Sequence, residues 1–181
     1  MAAMTLIDHA PLLGLLLLAA VIDARTRRLP NWLTLGLILS GLARAACLGG
    51  VAGLGHGFAG LFAGALAPLI LFIMGALGGG DVKLFAGVGA WLGPLPVLTV
   101  FAVQCVIGLV LILAQSLTQR RTLTLFRNSA LLYATISHRG LGGAGPSAGA
   151  EFTSIDRPMP YAVPVALATL AVLLAPSWYV F

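Results

Sequence analysis

Five of the 181 residues are acidic, and two of them stand at the ends of apolar runs, Asp23 ending the first and Asp81 opening the short fourth. A carboxylate held in or beside apolar surroundings is costly, so it marks acid–base chemistry or a proton relay until a structural duty accounts for it. Both acids have such a duty within reach. Asp23 can pair with Arg27 at i,i+4, which contributes a few tenths of a kcal/mol on a helix (about 0.2–0.5). Asp81, after Gly78-Gly79-Gly80 and before an apolar run, can cap a helix start. The glycines also leave the backbone beside Asp81 open to close approach. Lys83, two residues on, can hydrogen-bond to a neighbour or bias the acids, or snorkel as a boundary lysine. His9, His56 and His138 have no metal-ligand spacing, Cys47 and Cys105 form no CxxC pair, and no phosphate loop is present. No metal or cofactor is expected, and no disulfide framework.

The elements that carry these acids are set by composition. Sixty per cent of the residues are hydrophobic, 8% are charged and the mean hydropathy is +1.05, whereas a soluble domain is about 25% charged. Fifteen charges cannot solvate such a body, so the expected class is an all-α polytopic membrane bundle. Runs long enough to cross about 30 Å of hydrocarbon lie at 5–23, 32–50, 52–77, 95–117 and 160–180. Residues 82–93 are short and end at Pro94 and Pro96. If they cross, nine of the ten Lys and Arg fall on one side, Arg44 excepted. If they do not, the five Arg of 118–158 move outside, against the positive-inside rule. Six helices with both termini outside is the expected topology, with +5 net charge read as topology and not as nucleic-acid binding. Asp8 before the first run and Arg25, Arg27 and Arg28 after it describe an anchor and not a secretory signal.

The chain is expected to be one transmembrane domain over 1–181, with a basic cytoplasmic loop at about 118–158. Within that loop 123–136 has the pattern of a short amphipathic helix, and a Gly-rich segment follows. Gly53, Gly57, Gly60 and Gly64 form small-xxx-small pairs that admit a neighbouring helix, with packing inside the protein favoured over other uses.

Gly78-Gly79-Gly80-Asp81-Val82-Lys83-Leu84, followed by GVGAWLG, resembles the GxGDxKL signature of the type IV prepilin peptidases, a family of membrane aspartyl proteases. Asp23 to Asn31 (DARTRRLPN) is similar to that family's first block, an Asp at a helix end followed by a basic turn and LPN. Arg157 to Pro164 (RPMPYAVP) is a weaker match to a late P-Y-x-P element. The blocks occur in the family order, two crossings apart.

The resemblance implies removal of the basic leader of a type IV prepilin at the cytoplasmic face of a bacterial inner membrane. Asp23 and Asp81 are the implied catalytic pair, one ionised to activate water and one protonated to polarise the scissile carbonyl. Gly78, Gly80, Lys83, Pro30 and Asn31 are the implied motif and support residues. The expected partners are the prepilin, the bilayer and pilus assembly machinery, with no nucleic acid. The glycine face of 52–77 is one place for the substrate helix to pack, and Asp23, Asp81, Glu151 and Asp156 are the acids available to a basic leader. A start close to the first helix, without an N-terminal paired-cysteine segment, is similar to the short peptidase-only form of Flp or tight-adherence systems and argues against N-methylation. Two other classes stay open on the residues: a small proton-coupled transporter, and a non-catalytic assembly subunit. Acids gathered at one face and the lack of an internal repeat weigh against transport.

Overall fold

A computed structural model describes residues 8–74, 77–118 and 161–175. These residues form five helices: α1 (Ala10–Thr26), α2 (Asn31–Ile73), α3 (Gly79–Leu92), α4 (Pro94–Thr118) and α5 (Ala162–Leu174). Residues 1–108 with 160–181 make one compact unit and 109–159 another. The core and the site lie in the first. Of the expectations for 118–158, the amphipathic segment and the Gly-rich stretch fall outside the described residues.

With 43 residues, α2 would run about 65 Å as a straight helix, twice the hydrocarbon core. It is broken at Gly50, whose φ of 56° and ψ of −138° no L side chain adopts cheaply. The break falls between the two expected runs, 32–50 and 52–77. The two arms fold back on each other, since a Cβ at Gly53 would run into the Ala45 carbonyl and one at Gly57 would crowd Ala45 and Leu42.

The other glycines of the second arm receive α3. A Cβ on Gly60 would collide with the Gly89 carbonyl, and one on Gly89 with the Gly60 carbonyl, so the two backbones touch. Gly64 meets the Phe85 carbonyl in the same way. The small-residue face is therefore occupied inside the protein. The suggestion that it receives a substrate helix is overturned, because α3 already fills it.

Eight consecutive residues of α3, Leu84 to Trp91, are buried. A helix apolar and buried all round is enclosed by protein and needs no lipid-facing stripe. Trp91 ties it to α2 by donating its indole N–H to the Leu37 carbonyl and to Ser40 Oγ, both at 3.2 Å. Leu12, Leu16 and Ala19 of α1, Leu33 and Leu37 of α2, Val97 and Val100 of α4, and Val165, Ala168 and Val172 of α5 complete the core around it. α4 begins at Pro94 and includes Pro96, both within the first turn, where a missing N–H costs nothing.

Large apolar side chains such as Leu48, Val51, Phe62 and Ile73 point outward. That surface suits hydrocarbon and would be a liability in water. Two helices are long and apolar enough to cross a membrane by themselves, α2 and the 94–111 part of α4, while α1 and α5 are shorter as described.

Candidate active site

The first acid is placed by the way α1 ends. Arg27 adopts the left-handed conformation (φ 53°) and its N–H returns to the Asp23 carbonyl at 2.8 Å, which closes the helix one turn after Asp23. Thr26 Oγ1 donates to the Ile22 carbonyl at 2.9 Å in the same turn. Pro30, extended at φ −70° and ψ 138°, then caps α2, its carbonyl accepting from Leu33 N–H at 3.1 Å. Asp23 is thereby turned inward and is 7% exposed. Its Oδ2 accepts the backbone N–H of Ala162, the first residue of α5, at 3.0 Å. That N–H is one of those a helix start leaves without an internal partner, and it sits at the positive end of the α5 dipole. The pairing of Asp23 with Arg27 through side chains is not what forms. Among the described residues the Asp23 carboxylate is held by α5 instead.

Asp81 is the third residue of α3 and half-buried. Its Oδ2 accepts the Gly78 N–H at 3.2 Å, and its own N–H donates to the Gly78 carbonyl at 3.1 Å. The N-cap is therefore Gly78 and not Asp81, which from the third helical position accepts the N-cap's N–H and keeps one carboxylate oxygen for other work. Asp23 and Asp81 lie close enough for their charges to act on each other. Two acids 58 positions apart, on different helices, are thus brought within electrostatic reach of each other.

The motif residues assemble around them. Lys83 is exposed and its Nζ donates to Asn31 Oδ1 at 2.8 Å, joining the start of α2 to the start of α3. It is therefore a bridge between the two motif blocks and not a free snorkelling lysine. Gly80 lies against Leu29, with room for a Cβ only 3.3 Å from the leucine Cβ, and Gly78 lies beside the Asp81 carboxylate. Among the described residues no three His, Cys, Asp or Glu side chains gather. Glu151, Asp156 and Arg157 to Pro160 lie outside the described residues.

Sequence reasoning did not single out Gln104. It is 4% exposed in the apolar α4, where its Oε1 accepts a weak hydrogen bond from Cys105 Sγ at 3.7 Å. The available signal was a lone amide in the middle of an apolar run, a residue type that crosslinks helices.

Residues 10–113, a stretch that contains both acids, match the type IV leader peptidase family. A curated relative, the prepilin leader peptidase/N-methyltransferase of Klebsiella pneumoniae, is 41% identical over 88 residues, which cover 45% of this chain and 39% of the relative. The aligned part thus spans well under half of that protein. No solved structure matches the chain.

Proposed function

The chain belongs to the type IV leader peptidase family, and from that premise we propose that it is a membrane aspartic endopeptidase that removes the leader of type IV prepilins. The observation that carries the reading is the approach of Asp23 and Asp81, contributed by α1 and α3, to within charge interaction of each other. One carboxylate, ionised, takes a proton from water. The other, protonated, donates to the scissile carbonyl oxygen as the tetrahedral intermediate forms. The roles then reverse at the leaving amine, which accepts a proton as the C–N bond breaks.

Six crossings with both termini outside remain the topology we propose, since that arrangement puts nine of ten basic residues on the cytoplasmic side. It also sets Asp23 and Asp81 at the cytoplasmic boundary of the inner membrane, where water and a basic leader are both at hand. The enclosure of α3 supports a short fourth crossing, because a helix wrapped by protein need not match the bilayer thickness. Labelling of a cysteine placed at position 139 from the periplasm of intact cells would refute it.

Substrates on this reading have a basic leader followed by an apolar helix, and the Flp-like prepilins are the first to try. The pilus assembly machinery is the proposed partner beyond the substrate. The proposal does not extend to N-methylation, an activity named for a relative of which only 39% is aligned. The experiment is co-expression with a Flp-like prepilin, following leader loss by gel shift. Failure to process any prepilin that another leader peptidase cleaves, with this protein present in the membrane, would sink the reading.

A further inference from the structure

Near the break in α2 lies an open groove of about 260 Å³, lined by Arg44, Leu48 and Gly49 of the first arm, His56 of the second, and Trp91 and Gly93 at the end of α3. It is remote from the acids, since Trp91 stands ten residues beyond Asp81, about 15 Å along a helix. The Arg44 guanidinium lies over the Trp91 ring, 5.5 Å from its centroid. That ring is fixed, because the indole N–H is bonded to Leu37 and Ser40. A guanidinium stacked by its face keeps its in-plane N–H groups for another partner. Among the described residues nothing takes them: no ion pair or hydrogen bond engages the Arg44 side chain, and no carboxylate lines the groove. The His56 ring sits so close to Gly93 that a Cβ there would collide with it, and an imidazole offers at least one N–H in either protonation state.

We propose that this groove binds the phosphate of an anionic phospholipid headgroup, with Arg44 and His56 as its donors. A phosphate accepts the paired N–H groups of an arginine in bidentate fashion. The volume is below the roughly 300–1,000 Å³ of sites that enclose a whole small molecule, so it suits a headgroup whose remainder lies outside. That remainder finds apolar surface, because Leu48 in the lining and Val51 beside the break are both exposed. A lipid uses that surface and a free anion does not. With no carboxylate in the groove, the ammonium of a zwitterionic headgroup would meet Arg44 and no counter-charge, so a headgroup of net negative charge is preferred. The site also accounts for Arg44, the one basic residue that the proposed topology leaves on the outer side. The choice of the outer leaflet rests on that topology, whereas the binding itself does not rest on the peptidase reading.

The test is native mass spectrometry of the full chain in detergent, titrated with phosphatidylglycerol, phosphatidylethanolamine or inorganic phosphate. The wild type is expected to hold its first phosphatidylglycerol at least about tenfold more tightly than phosphatidylethanolamine. Arg44→Met, which keeps an apolar stem and removes the donors, should reduce that preference to about twofold or less. Gly49→Leu is a second variant that leaves Arg44 in place. A Cβ at Gly49 meets nothing within 4 Å, so the new side chain fills the groove without displacing protein, and phosphatidylglycerol should bind about tenfold more weakly. Arg28→Met removes the same charge at an exposed position of the α1–α2 turn and should keep the preference. Equal binding of the two lipids by the wild type overturns the proposal. So does unchanged phosphatidylglycerol affinity in Arg44→Met or Gly49→Leu, or an equal loss of preference in Arg28→Met. Displacement of the lipid by millimolar inorganic phosphate would make the occupant a free anion and overturn the headgroup assignment. No arm of the test uses cleavage, so a wild type that discriminates between the lipids but cleaves no prepilin refutes the peptidase reading and leaves this site standing.

Discussion

Replacing either acid by asparagine separates catalysis from folding, and the structure sets the size of each effect. At position 23 the amide oxygen can still accept the Ala162 N–H that Asp23 Oδ2 now takes at 3.0 Å. The bond changes from charge-assisted, about 1.5–3 kcal/mol, to neutral, about 0.5–1.5 kcal/mol, a loss of about 1 kcal/mol. Removing a charge that is 7% exposed offsets part of that. At position 81 an asparagine oxygen can likewise keep the Gly78 N–H at 3.2 Å. Asp23→Asn and Asp81→Asn should therefore reach the membrane at near wild-type level, with stability changed by no more than about 1 kcal/mol. Neither can ionise or carry a transferable proton. Since positioned acid–base groups contribute about 100- to 10,000-fold, each variant should cleave prepilin at least about 100-fold more slowly. The double variant should be no slower than the worse single one, because a cooperating pair fails as a unit. Asp8→Asn, at an exposed position at the other end of α1, and Asp156→Asn should keep most activity. The assay is a time course of leader loss, normalised to enzyme in the membrane fraction. Processing by Asp23→Asn or Asp81→Asn at near wild-type rate would refute the two-carboxylate mechanism, whatever the family.

Gly60→Ala and Gly89→Ala should each destabilise the protein in detergent by about 1–3 kcal/mol, because the new Cβ meets a facing backbone carbonyl that cannot move aside alone. Gly36→Ala, with nothing within 4 Å, should be neutral or stabilise by up to about 1 kcal/mol, and equal thermal shifts for all three would refute the contact. The bond from Lys83 to Asn31 lies on an exposed rim, so Lys83→Met and Asn31→Ala should each cost less than about 1 kcal/mol, yet a double-mutant cycle should return a favourable coupling of about 0.5 kcal/mol or more. A coupling indistinguishable from zero would show that the bridge does not hold in solution. The Cys47→Ala, Cys105→Ala double variant should retain activity, since both thiols are exposed and neither takes part in the two-carboxylate chemistry. Its loss in a protein that still folds would point to thiol chemistry.

What could be read from the sequence, and what could not, follows from the kind of interaction concerned. The break at Gly50 was legible because two apolar runs of membrane length meet there, and the two acids were legible because a carboxylate stands out in an apolar chain. The enclosure of α3 was not, since the run of 82–93 looks too short by a rule that assumes lipid on at least one side. Its real neighbours are Leu37, Gly60 and Gly64, brought in by tertiary packing that no local periodicity encodes. The glycine stripe was visible as a contact face, but small residues carry no address. That the partner is Gly89 and not a substrate helix depends on the fold of α2 back upon itself. The hold on Asp23 was the least legible of all, because its donor is a backbone N–H 139 positions away, and a backbone amide leaves no mark in composition.

The two acids are consequently fixed by unlike means. Asp81 sits on a helix whose backbone touches that of α2 at Gly60 and Gly89, so its position is set by close packing that tolerates no added atom. Asp23 sits one turn from the end of its helix and is set by a single hydrogen bond to α5. A packed backbone responds to substitution by losing stability, whereas a hydrogen-bonded side chain responds by losing direction. Substitutions around α3 should therefore lower the amount of folded protein in proportion to activity. Substitutions around the start of α5 should lower activity while the protein stays in the membrane. The ratio of activity to folded protein, measured for Gly89→Ala and for Tyr161→Ala, which removes the ring that meets Phe85 from the start of α5, in one experiment, distinguishes these cases. If the ratio fell equally in both, the division between a rigid Asp81 and a tethered Asp23 would be wrong.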